Sequence, residues 1–163
     1  MEQRDNSVFL ADLKEWNIDL NDMQLKQLEK YYEMLIEKNK VMNLTAITEY
    51  EDVLKKHFLD SLALNQIIKL KGKKIKVLDM GTGAGFPGIP LKIAFPETEF
   101  VLMDSLNKRI SFLNRVIELL DLKKITAVHG RAEEAGRTAV YREQFDYCVS
   151  RAVARLSSLS EFC

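Results

Sequence analysis

Four glycines and two prolines fall within residues 77–91, VLDMGTGAGFPGIPL, and Asp79 stands two positions before the first glycine. Glycine accepts positive φ and lets a ligand lie directly on the backbone. Gly81, Gly83 and Gly85 therefore form a loop suited to a small molecule. Val77 and Leu78 read as the end of a strand. Pro87 sits where a helix would begin, a place where its missing N–H costs nothing. Strand, glycine loop and helix N-terminus together make the arrangement at which doubly wound sheets bind nucleotides.

The neighbouring residues narrow the ligand. A P-loop requires Gly-Lys-Ser/Thr, and no lysine follows these glycines. A dinucleotide fingerprint asks for glycine at position 86, where Phe86 stands, and Asp79 would repel a pyrophosphate. S-adenosylmethionine meets neither objection, because it has no phosphate and its ammonium group pairs with a carboxylate beneath the loop. Asp104, 19 residues after Gly85, is placed to accept hydrogen bonds from ribose hydroxyls. The alternative for both aspartates is capping of their own loops. The segment HGRAEE puts Ala132 and Glu133 beside the adenine, and FDYCVSRAVARL puts Ser150 and Arg151 at the edge facing the transferable methyl. An arginine there can stack on or hydrogen-bond a base, unless it is spent on an ion pair. His129 has no acid or cysteine partner at ligand spacing and reads as structural; no metal site is expected.

These residues need a frame to hold them. The segments IKVLDM, EFVLMD, ITAVHG and FDYCVS read as strands, separated by helical stretches at Pro87–Ala94, Asn107–Leu120 and Ala132–Tyr141. That alternation predicts βαβ units, an α/β fold and a parallel sheet with helices on both faces. The first third reads as helices instead. Residues 22–40 carry an amphipathic stripe of Met23, Leu28, Tyr31, Tyr32, Leu35 and Ile36, with Asp22 as cap. A second helix is expected from Glu49 to Ile68, with Thr48 and Glu51 as a capping box. The polar KLKGKK (69–74) marks the boundary, so residues 1–72 form a helical extension and 73–163 the cofactor-binding core.

Composition sets the class. No apolar run reaches the ~18 residues of a membrane span, and MEQRDNSVFL lacks the pattern of a secretory signal. Cys148 and Cys163 provide neither a disulfide framework nor metal spacing, so a cytoplasmic location is expected, with Cys148 in the core. The net charge is zero but segregated: residues 1–53 hold 6 basic against 12 acidic side chains, and residues 54–163 hold 18 against 12. Between Lys55 and Lys76, seven lysines face only Asp60, a footprint suited to phosphates or to plain solvation.

NLTAI, HFLDSLAL, LDMGTGAGFPGIPL, LMDSLNKRISFL, GRAEE and SRAVARL, in this order, closely resemble the bacterial small-subunit ribosomal RNA guanine-N7 methyltransferase G family. That family was formerly called glucose-inhibited division protein B. The resemblance runs from about residue 39 to the last. It implies a class I S-adenosylmethionine-dependent methyltransferase (Rossmann-like) fold with an N-terminal helical extension, acting on N7 of one guanine in 16S ribosomal RNA or the small subunit, with a monomer expected for the full-length protein. It also implies cofactor contacts at Gly81, Phe86, Ala132, Glu133 and Arg151, with Asp104 by the ribose. Arg151 is then the catalytic candidate through positioning, because N7 has a free lone pair and needs no general base. His57, in HFLDS, is either an RNA contact or a packed helical residue.

Members of that family have seven strands and continue past residue 163. The resemblance therefore implies a C-terminally truncated core holding only the first four strands, in the order 3-2-1-4, with segment 145–150 left as an unprotected edge. The glycine loop would serve other proteins too. A methyltransferase of a small molecule or protein, a nicotinamide-dependent oxidoreductase and a non-catalytic RNA-binding assembly protein all remain open on these residues.

Overall fold

The computed structural model describes residues 4–138, 141 and 143–151. Four strands, β1 (Lys76–Met80), β2 (Glu99–Asp104), β3 (Ile125–His129) and β4 (Tyr147–Val149), form one parallel sheet. Its order is β3-β2-β1-β4, the order the family resemblance implies. β1 and β2 are buried on both faces, which their nearly unbroken apolar runs require. In register, Asp79 stands opposite Leu102 and Val149, so the last residues of β1, β2 and β4 reach one edge together.

Each strand of the first three is followed by a helix: α6 (Gly88–Ala94), α7 (Asn107–Leu119) and α8 (Ala132–Ala135). Pro87 is the N-cap of α6 rather than its first helical residue. α8 is much shorter than expected from 132–141. The N–H of Thr138 turns back to the Ala135 carbonyl, closing a tight turn where a helical ladder would have continued.

Before the sheet come α1 (Ser7–Glu15), which no local pattern announced, and α2 (Asp22–Met42). Asn21 and not Asp22 caps α2. Its side chain accepts from Gln24 N, and Gln24 Oε1 accepts from Asn21 N, a reciprocal box. Leu28, Tyr31, Met34 and Leu35 face inward, while Met23 is exposed. The expected helix 49–68 is broken into α3 (Tyr50–Val53), a π-helical stretch (Leu54–Leu59), α4 (Asp60–Leu62) and α5 (Asn65–Ile68). Thr48 caps nothing there; its carbonyl accepts the Tyr32 hydroxyl at 2.8 Å, and Glu49 takes the N-cap position.

One hydrophobic cluster joins Phe9 and Leu13 of α1, Tyr31 and Leu35 of α2 and Phe58 with Leu102 and Leu113 around the sheet. The helical first third and the sheet therefore share a core. A smaller cluster of Leu78, Met80, Val101, Met103 and Ala135 covers the opposite face, and Cys148 packs against it only partly buried. Lys69, Lys71, Lys73 and Lys74 are exposed and precede β1. They lie at the amino edge of the sheet, about 16 Å of strand away from the glycine loop at ~3.3 Å per residue. The helix expected after β4 and Cys163 lie outside the described residues.

Candidate functional site

Beyond β1 the chain must turn sharply, and its glycines divide by what they allow. Gly81, Gly83 and Gly85 have φ of +66°, +61° and +109°. A Cβ on Gly85 would stand 2.6 Å from Ile89 Cγ1 and 2.8 Å from the Tyr31 hydroxyl, and one on Gly88 would overlap Leu102 Cδ2. Those two glycines admit protein, not ligand. A Cβ on Gly83 would meet nothing within 4 Å, so that position opens on free space.

The two aspartates hold the loop from below and beside. Asp79 is wholly buried, and its Oδ2 accepts from Thr82 Oγ1 at 2.7 Å and Gly88 N at 2.9 Å. Its Oδ1 accepts no hydrogen bond from the described residues. Burial pushes the Asp79 carboxyl up to about 7, against the two hydrogen bonds that favour its charged form. Asp104 Oδ2 accepts from Gly83 N at 2.9 Å and Oδ1 from Leu106 N at 3.0 Å, with Arg109 Nη1 at 3.4 Å. A carboxylate offers about four lone-pair sites, and Arg109 Nη1, which also lies 3.5 Å from Oδ1, occupies the last two only through long contacts. The capping alternative is thus partly realised for both residues.

Around these groups lies a cleft of about 650 Å³ at the carboxyl edge of the sheet, lined by Gly81, Asp104, Arg109, Ala132, Glu133 and Arg151 among others. Of the expected site residues, Gly81, Asp104, Ala132, Glu133 and Arg151 meet there. Asp79, Gly85 and Phe86 are buried beneath or behind the loop, not on the cleft wall. Arg109 and Met103 also line the cleft and escaped the sequence analysis. Arg109 has a signal in retrospect: it lies five residues after Asp104, within reach across the first turn of α7.

Arg151 also lines a smaller cleft of about 280 Å³ with Asp60, Ser61, Leu64, Pro87 and Ser150. Its Nη1 is 3.5 Å from Asp60 Oδ2, and its Nη2 is 2.9 Å from His57 Nδ1. Its guanidinium carbon lies 5.0 Å from the Phe86 ring centroid. Ser150 Oγ donates to the Met80 carbonyl at 2.9 Å, which fixes the end of β4 against β1. His129 Nε2 lies 2.9 Å from the Ser105 carbonyl, a local tie. Among the described residues no group of three His, Cys, Asp or Glu could hold a metal, and no helix is long and apolar enough to cross a membrane.

The Asp79 carboxyl makes a testable demand. The folded chain keeps a proton there that the unfolded chain releases near its ordinary 3.8. Stability from this residue is therefore present at low pH, declines as pH rises from about 4 and is gone above about 7. Asp79→Asn should gain melting temperature relative to the unsubstituted protein as the pH goes from about 5 to about 7.5. An identical difference at both pH values would refute this.

Solved structures and relatives agree with the geometry. Protein-L-isoaspartate O-methyltransferase superposes with a TM-score of 0.60 over 90% of this chain and 47% of that one, at 14% identity. A putative S-adenosyl-L-methionine-dependent methyltransferase from Methanococcus maripaludis gives 0.55 over 80% and 55%, at 15% identity. The fold is the class I methyltransferase fold. The family profile described as rRNA small subunit methyltransferase G matches residues 24–163, and the chain belongs to that family. The curated ribosomal RNA small subunit methyltransferase G of Lachnoclostridium phytofermentans is 61% identical over 98% of this chain and 66% of its own length. That of Alkaliphilus oremlandii is 55% identical over 90% and 61%. The chain spans just under two thirds of the length of these relatives.

Proposed function

We propose that this protein takes part in methyl transfer from S-adenosylmethionine to N7 of a guanine in 16S ribosomal RNA, as free RNA or within the small subunit. The observation that carries this is the cleft at the glycine loop, lined by Asp104 with Asp79 buried beneath the loop, in a chain of this family. The residues present fit the cofactor. Gly83 leaves open space where a side chain would stand, Asp104 lines the cleft with only the long Arg109 contacts for a ribose diol to displace, and Asp79 beneath the loop has one oxygen with no hydrogen bond from the described residues. Ala132 and Glu133 border the cleft where an adenine would lie.

The cofactor supplies an electrophilic methyl on a sulfonium. The chain's own work is positional. N7 carries an in-plane lone pair and no proton, so a residue that removes one has no task. Rate comes from holding N7 in line and from fixed charges around the reacting atoms. Arg151, which borders both clefts, is the side chain that would orient the base. N7 lies on the major-groove edge, so the RNA must present the guanine unstacked or exposed.

Incubation with small subunits from cells lacking the modification, labelled cofactor and mapping of 7-methylguanosine tests the reading. Label at one guanine of 16S RNA is expected; label only on protein or on small molecules would overturn it. For RNA engagement, Lys69, Lys71, Lys73 and Lys74 changed together to Gln should flatten the salt dependence of binding. Each lost phosphate contact removes ~0.7–0.9 from the log–log slope. An unchanged slope would mean that these lysines only solvate the amino edge.

A further inference from the structure

We propose that His57 is a positioning residue that holds the Arg151 guanidinium between the two clefts through Nδ1, with its own ring proton on Nε2. This rests on reading the cleft as a methyl-transfer site.

The tautomer follows from donor arithmetic. A guanidinium has five N–H donors and no acceptor. The 2.9 Å contact from Arg151 Nη2 therefore requires a lone pair on His57 Nδ1. The proton must then sit on Nε2, where it is donated to Thr45 Oγ1 at 2.8 Å. Thr45 is itself tied down: its hydroxyl oxygen accepts from Ile47 N at 3.0 Å, and its own N–H donates to Asn39 Oδ1 at 2.8 Å. An imidazolium in this place would face Arg151 with no acceptor between two cations. Burial, with the Arg151 charge beside it, lowers His57 to about 4, against an opposing pull from Asp60.

The ring is also fixed in its plane. It stacks on Phe86 at 4.4 Å between centroids and 10° between planes, and Phe86 carries the Arg151 guanidinium as well. His57 lies in the π-helical stretch, a winding often found at functional sites. Three residues far apart in the chain thus form one unit. An arginine side chain left free has rotamer entropy to lose when it is ordered. Held in advance by His57 and Phe86, Arg151 meets the substrate already oriented.

Two substitutions separate this role from mere packing. His57→Phe keeps the stack on Phe86 and removes the acceptor. His57→Asn keeps an acceptor near the place of Nδ1 and loses the stack. Turnover on small subunits should fall at least ~10-fold in His57→Phe and recover to within ~3-fold of the parent in His57→Asn, with cofactor affinity by calorimetry unchanged within ~2-fold. The opposite order, Phe more active than Asn, would overturn the proposal. Nitrogen-15 spectra of the histidine ring supply a readout independent of turnover. A neutral Nε2–H ring at pH 7 is expected, with that preference weakened in Arg151→Ala; an Nδ1–H ring or an imidazolium would overturn the proposal. If the parent protein methylates no RNA, the functional reading fails, while the spectra still decide on the His57–Arg151 contact.

Discussion

Gly85→Ala should lower the melting temperature by about 10 °C, while Gly83→Ala, two residues away, should lower it by only a few degrees. Both positions have positive φ, which costs an L-residue about 1–2 kcal/mol. Only Gly85 adds a collision, with Ile89 at 2.6 Å, the buried Tyr31 hydroxyl at 2.8 Å and Leu113 at 3.0 Å. Overpacking of a full core costs about 1–3 kcal/mol more, and a chain of this size loses about 2–4 °C per kcal/mol. Cofactor affinity should respond in the opposite order. Gly83→Val, placing a branched side chain in the open space over the loop, should abolish binding in calorimetric titration while the protein stays folded. Equal thermal losses at the two glycines would refute the division between packing and ligand positions.

Arg151→Ala should cut methyl transfer on the order of 100-fold, the usual loss when one oriented donor is removed from a reacting site. Its thermal cost should be small. The pair with Asp60 is 3.5 Å long and partly exposed, and such pairs contribute about 0–1 kcal/mol. The contact with the Phe86 face adds about 0.5–1 kcal/mol. Melting and turnover per folded molecule, measured together, decide the matter. A fall of many degrees with normal turnover would make Arg151 a structural ion-pair partner, the alternative its position at a strand end always carried.

The sheet was legible because its signals are local. Each strand is a short apolar run, and the Gly-rich turn after Met80 and the polar 69–74 punctuate them. The parallel sheet followed from the alternation with helices, whereas its order β3-β2-β1-β4 was implied by the family resemblance and not by the alternation. Helix ends were less legible. Asn21 and Asp22 are both good caps by type, and only the reciprocal bond with Gln24 chooses between them. The π-helical winding at Leu54–Leu59 has no periodic signature distinct from an α-helix, so the break in 49–68 was hidden. At the site, residue types pointed to the cofactor loop, yet not to which glycine faces ligand and which faces protein. Gly85 is sealed by Tyr31 and Leu113, partners 54 and 28 positions away. The same distance concealed the contacts of His57, which the sequence left as either an RNA contact or a packed helical residue. Its contacts with Phe86 and Arg151 span 29 and 94 positions, and nothing near His57 in the chain announces them.

Tyr31 gives the molecule a particular indivisibility. Its hydroxyl, wholly buried, donates to the Ala84 carbonyl at 2.6 Å, at the crest of the glycine loop, and its ring stacks on Phe58. Burial, together with the nearby Asp79 charge, holds that phenol well above its usual range, so it remains a donor at any pH the protein meets. The loop's curvature is thereby braced by a helix whose contact residue lies 53 positions earlier in the sequence. A graft that moved only the sheet and its loop into another scaffold would carry the glycines but leave their brace behind. Recombination between relatives of this protein should accordingly succeed where Tyr31 and Ala84 come from the same parent or from parents that share this pairing. The helix and the loop are, in hereditary terms, a single cassette.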